Sequence, residues 1–210
     1  MTRVGLIRRT KAMKQLHRSD LWGWSVFNVE RNLDFNSVAW IRPEGNVLVD
    51  PMPLCDHDRG HLAELGGAGV IVVTTSDHLR AAEALAREFD AELVGPRGER
   101  ESLPAACSRF VGEGDQVVPG LVVMEMHGSK TPGELALCLE GSTLITGDLV
   151  RGQRGGQLNL LPDAKLADPR AARQSVDRLA GLQATEVVLV GDGWHVWSGG
   201  QSALRGILTQ

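Results

Sequence analysis

No uninterrupted apolar run in this sequence approaches the roughly 18 residues that a bilayer-spanning helix needs, so membrane-embedded functions are set aside. Cysteine is scarce. Cys55, Cys107 and Cys138 are odd in number and form no CxxC, which argues against a disulfide framework and for a reducing, cytoplasmic setting. A bias toward one charge is missing too. Lys and Arg total 22 against 26 Asp and Glu, the formal net charge is -4, and neither half is strongly acidic or basic. That removes the electrostatic case for nucleic acid. There is no repeat at solenoid spacing. The first twelve residues, MTRVGLIRRTKA, hold four positive charges and no acid but lack the apolar core of a secretory signal. They read as a frayed tail, with a small amphipathic targeting segment as the alternative and Met13 as an alternative start. Deleting residues 1–12 is expected to leave the melting temperature unchanged.

What remains is ordinary for a globular protein: 210 residues, 42% apolar and 23% charged, enough for a single domain over residues 13–210 with a sizeable core. Residues 38–49 read as two strands joined by a turn at 43–46, followed by a short helix near 58–66. Residues 69–75, GVIVVTT, are too apolar to face water on either side and predict a buried strand. The stripe Leu79, Ala82, Leu85, Ala86 and Phe89 predicts a helix after it. Further strands are read in AELVG, on both sides of Pro119-Gly120, and in a hairpin through Glu140-Gly141-Ser142. Residues 152–156, GQRGG, read as a glycine-rich loop. Asp168-Pro169 reads as the cap and first turn of a helix stopping near Gly181, and a last buried strand and a short helix with Leu204, Ile207 and Leu208 follow. The order implies one α/β domain built around two sheets with helices outside.

Acidic residues recur at one structural place, the loop after a buried strand: Asp50, Asp77 beside His78, Asp148 and Asp192. If the strands share a direction these loops converge, and their carboxylates need a balancing cation. Oxygen ligands with one imidazole suit zinc, manganese or iron. Taken singly, each Asp reads equally as a turn residue, and Ser76 or Asp77 as a helix cap.

The ordered blocks GNVLVDPMP, VVTTSDH, GDQVVPGLVVMEM, KTPGELALCLEGSTLITGDLV and VVLVGDGWH resemble the metallo-β-lactamase superfamily over roughly residues 36 to 200. The resemblance implies an αββα four-layer sandwich with a metal site at one edge of its sheets, and a hydrolase in which metal activates water. It also exposes departures. Val73 and Thr75 stand where the family's two leading histidines belong, Lys130 stands at the histidine before Thr-Pro-Gly, and Asp192 stands in the last histidine turn. His195 lies past that turn. The resemblance leaves Asp77, His78, Asp148 and Asp192 as ligands for at most one divalent metal (Zn, Mn or Fe). Asp77 is also the family's proton-handling aspartate.

Two functions follow. One is a single-metal hydrolase of a small molecule. The other is a metal-free, non-catalytic binding or regulatory relative, with a second copy of the chain as candidate partner. In the latter Lys130, set near Asp77 or Asp148, replaces the charge of the metal, and His78→Ala is expected to cost little stability. A redox or sulfur-handling iron protein is disfavoured because its usual histidines are among those missing. Around the site, Arg151 and Arg154 read either as grips on an anionic substrate or as solubilising groups. Trp194 and Trp197 read as pocket mouth or packing, and His127 as rim. Trp22, Trp24, Trp40 and Cys138 read as packing, and His17, His57 and His61 as surface or loop.

Overall fold

The computed structural model describes residues 13–209, so the tail expected over 1–12 lies outside it. Among the described residues one sheet runs in sequence order through β1 (Lys14–Gln15), β2 (Leu21–Asn28), β3 (Leu33–Trp40), β4 (Val47–Val49), β5 (Val70–Val72), β6 (Glu92–Pro96) and β7 (Arg109–Val111). The second contains β8 (Gln116–Val118), β9 (Leu121–Glu125), β10 (Leu135–Leu139), β11 (Thr143–Thr146) and β14 (Val187–Val190). β12 (Val150–Arg154) and β13 (Gln157–Leu160) form a separate hairpin.

Strand alternation produces the layers. Val47, Val49 and Val72 enter a core between the sheets with Val123, Leu137 and Leu189. Their neighbours Leu48 and Ile71 point the other way, onto Leu62 of α1 (Asp56–Glu64) and Leu85 of α2 (Ala82–Phe89). In the second sheet Leu144 and Val188 meet Val176 and Leu179 of α3 (Pro169–Ala180) and Leu204 of α4 (Gly200–Ile207). The result is the αββα sandwich that the two-sheet reading implied. Strands buried on both faces carry no polar alternation, which is why residues 70–73, VIVV, form an unbroken apolar run.

Several local expectations hold. Glu140 and Gly141, with φ of 46° and 72°, make the β10–β11 turn, and the Asp168 side chain caps α3 by accepting from Arg170 N and Ala171 N. Others are corrected. Leu79 lies outside α2, which begins at Ala82 without a side-chain cap. Neither Ser76 nor Asp77 caps a helix: Thr75 Oγ1 instead accepts from Asp77 N in the 3-10 turn Ser76–His78. Residues 152–154 belong to a strand rather than a loop. Gly152 is required there by close approach, since a Cβ would lie 1.9 Å from Trp194 O, and the two backbones bond through Trp194 N at 2.7 Å. The β2–β3 hairpin has no counterpart in the sequence reading before residue 38. Its far end leaves Phe27 and Val29 exposed.

Candidate active-site cleft

The parallel pairs β4–β5 and β11–β14 deliver the loops that carry Asp50, His78, Asp148 and Asp192 to one edge. All four are buried. Asp50, at φ 47°, turns its carboxylate back onto Thr74, accepting from Thr74 N at 2.7 Å and Thr74 Oγ1 at 2.6 Å. His78 Nδ1 lies 2.9 Å from Asp50 Oδ2, and its Nε2 faces Asp148 Oδ1 at 3.5 Å. Gly191 lets the last turn close over this ring, because a Cβ there would come 2.8 Å from His78 Cε1.

Two cations enter the same cluster. Arg151 Nη2 sits 2.5 Å from Asp148 Oδ1 and 3.2 Å from Asp192 Oδ2, bridging the two carboxylates. Lys130 Nζ lies 2.7 Å from Asp77 Oδ2 and 2.5 Å from Asp148 Oδ2. Arg80, which sequence reasoning missed, reaches Asp192 Oδ1 at 3.5 Å and donates to Asn36 O at 2.7 Å. Four carboxylates (Asp50, Asp77, Asp148 and Asp192) thus face four cationic side chains (His78, Arg80, Lys130 and Arg151). Behind them Glu134 accepts from Leu149 N at 2.7 Å and from Ser129 Oγ. Buried Glu99 joins the loop that carries Asp77 and His78 to the loop that carries Lys130 by accepting from Ser76 N at 2.6 Å and Gly133 N at 3.3 Å.

The ionisation follows from this packing. Burial opposes charge on His78, but the Asp50 charge and the bonds to Asp148 and Asp50 outweigh it and raise its pKa to about 9. Burial likewise opposes the Asp148 carboxylate, and His78, Arg151 and Lys130 overcome it, holding the group far below the usual range. Burial wins at Asp192, whose pKa is raised, and at Glu134, pushed up to about 7 by burial and then by Asp148. At Lys130 the two aspartates outweigh burial and raise the pKa. The imidazolium is therefore a structural cation. His78→Ala strips two buried carboxylates of a shared partner, and the expectation of a small cost is withdrawn.

A pH dependence follows. Between the unfolded value of 6.5 and about 9 the folded protein holds a proton on His78 that the unfolded chain releases. Stability from this group is full below pH 6.5 and is lost as pH rises through 9, with a slope approaching about 1.4 kcal/mol per pH unit. Glu134 acts in the same direction between 4.5 and about 7. Urea midpoints are expected to fall from pH 6.5 to pH 9; a constant or rising midpoint would show His78 to be neutral.

As to metal, His78, Asp148 and Asp192 bring one donor atom each within 4.8 Å of one another, whereas Asp77 stands apart with Lys130. A divalent ion holds such carboxylates at about 2.0–2.2 Å. An ion shared by Asp148 and Asp192 would occupy the place that the Arg151 guanidinium already bridges. The donor set is right for a metal, and the Lys130 and Arg151 cations stand against the same carboxylates.

A cleft of about 640 Å³ opens over the cluster, lined by Phe35, Met52, Arg31, Asp77, Arg80 and Lys130 among others. Arg151 lies beneath its floor rather than reaching out as a grip. Arg154 is exposed and lines a different hollow with Gln153 and Gln157, because alternation along β12 and its bulge turn it away. Trp194 and His127 are exposed and outside the cleft lining; the His127 backbone is tied to Ser175. His195 Nδ1 accepts from Val190 N at 3.1 Å, and burial, then Lys14 and His17, lower its pKa to about 4. That leaves it neutral and bonded to its own turn.

A sequence model of the metallo-beta-lactamase superfamily matches residues 13–210. Among solved structures the fold is similar to a metallo-beta-lactamase from Pontibacter korlensis, at 18% identity over 94% of this chain and 96% of that one, with a TM-score of 0.73. It is also similar to an archaeal superfamily protein from Sulfolobus tokodaii, at 14% identity over 84% and 79%, with a TM-score of 0.66. A third similar structure was determined in a di-iron-bound form, at 22% identity over 80% and 91%, with a TM-score of 0.62. A comparison with curated proteins finds no match.

Proposed function

The chain belongs to the metallo-beta-lactamase superfamily, and on that premise we propose that it is a metal-free, non-hydrolytic member whose cleft binds a small polar molecule. One observation carries this reading: Lys130 and Arg151 contact the carboxylates that a metal would need, at 2.5 Å from either oxygen of Asp148. An ammonium and a guanidinium stabilise ionised acids as a metal does, but offer no Lewis acidity and no open coordination position. The cleft supports a binding role, since its volume falls within the usual range for ligand pockets and Phe35 and Met52 supply apolar wall beside charged groups.

A second reading, a hydrolase with one divalent metal such as zinc, manganese or iron, is favoured by the close approach of His78, Asp148 and Asp192. Lys130→His separates the two. It removes the repelling charge and returns an imidazole, so the cleft is expected to gain zinc affinity by about tenfold or more, equivalent to roughly 1.4 kcal/mol. A variant that binds zinc in the cleft no better than the parent would retire the idea that Lys130 replaces the metal.

A further inference from the structure

The outer face of α1 carries chemistry that the cleft does not use. His57, His61 and Glu64 are spaced i, i+4 and i+7 along the helix. At about 3.6 residues per turn these positions fall on one face, and an i, i+4 pair has Cβ atoms about 5–6 Å apart. Two imidazoles at that spacing on a helix can share one zinc ion, each bonding at about 2.0–2.1 Å. Buried Asp58 and Leu62 lie about 100° round the helix from His57 and His61, which leaves His57 and Glu64 exposed and His61 half-buried. They line a hollow with Asp56 and Gly60. His61 is held edge-on against Trp22 at 4.8 Å between ring centroids, which reduces the rotamer freedom lost on binding. His57 and Glu64 are exposed, and their donor atoms are not already gathered around His61 in this structure, so holding a common ion requires both side chains to turn toward it.

We infer that this face is a site for a zinc-class divalent cation, held by His57, His61 and Glu64 with water completing a tetrahedron. None of these residues lines the cleft. Neutral imidazoles and a carboxylate are a borderline-soft set that zinc, nickel or copper prefers over calcium or magnesium.

The test is calorimetric titration of the tag-free protein with Zn²⁺ at neutral pH, on the parent and on His57→Ala, Glu64→Gln and Asp148→Asn. The parent is expected to bind one equivalent. Loss of an outer-shell partner alone costs about 10–100-fold in metal affinity, so His57→Ala, which removes a ligand, should cost at least that. Glu64→Gln should cost less, and both should melt as the parent does because the side chains are exposed. Asp148→Asn should leave this binding intact. Absence of zinc binding by the parent, or affinity unchanged in His57→Ala and Glu64→Gln, would overturn this inference alone. Zinc that survives His57→Ala and disappears with Asp148→Asn would place the ion in the cleft, overturning both this inference and the metal-free reading.

Discussion

Arg151→Ala is expected to destabilise the protein by about 3–5 kcal/mol, the cost of leaving a buried carboxylate without its partner. The side chain is buried and touches two acids, Asp148 at 2.5 Å and Asp192 at 3.2 Å, both themselves buried. Arg154→Ala is the control. It lies three residues on in the same strand, is exposed, and should change stability by less than about 0.5 kcal/mol. Urea unfolding of the two variants beside the parent decides the matter. Equal midpoints would mean that Arg151 does not hold the acids together.

Val72→Asp should do more and leave no folded protein. Val72 is fully buried at the carboxyl end of β5, which lies between β4 and β6, with its side chain in the core between the sheets. A carboxylate there has no cation or donor to meet, and an unpaired charge in such surroundings costs more than a domain's whole stability. Val26→Asp serves as comparison, since Val26 is a strand residue of similar size on the exposed part of the β2–β3 hairpin. Circular dichroism should show a native spectrum and a cooperative melt for Val26→Asp and neither for Val72→Asp. A cooperative melt for Val72→Asp would mean that the inter-sheet packing is wrong.

The buried strands were legible because both faces of each are covered, so their residues are continuously apolar whatever their neighbours do. The acids after them were legible for a related reason: Asp50, Asp77, Asp148 and Asp192 each break an apolar run at its carboxyl end. What the sequence hid was pairing. Arg80 follows His78 by two residues and reads as the start of a solvated helix; its φ of 41° and its turn toward Asn36 O arise only once β3, β4 and β5 are assembled into one sheet. Arg151 and Arg154 look alike in sequence, and only the β12 register separates the buried one from the exposed one. Lys130 was singled out by its place before Thr-Pro-Gly, while its contact with Asp148 depends on a residue 18 positions away. The β2–β3 hairpin escaped because Val26 and Phe27 on its far half are exposed, while the partners that anchor that half, such as Gly191 O accepting from Asn36 N, lie far away in sequence.

The central claim is that side-chain cations have taken over the charge balance of the superfamily's metal site. Its most direct test is zinc titration of the His57→Ala/His61→Ala protein, in which the helix site is removed and only the cleft is left to bind. The account predicts no zinc bound there, and one equivalent recovered when Lys130→His is added. One equivalent bound without that change, and lost on Asp148→Asn, would contradict it and return the cleft to the metal-dependent members of the superfamily.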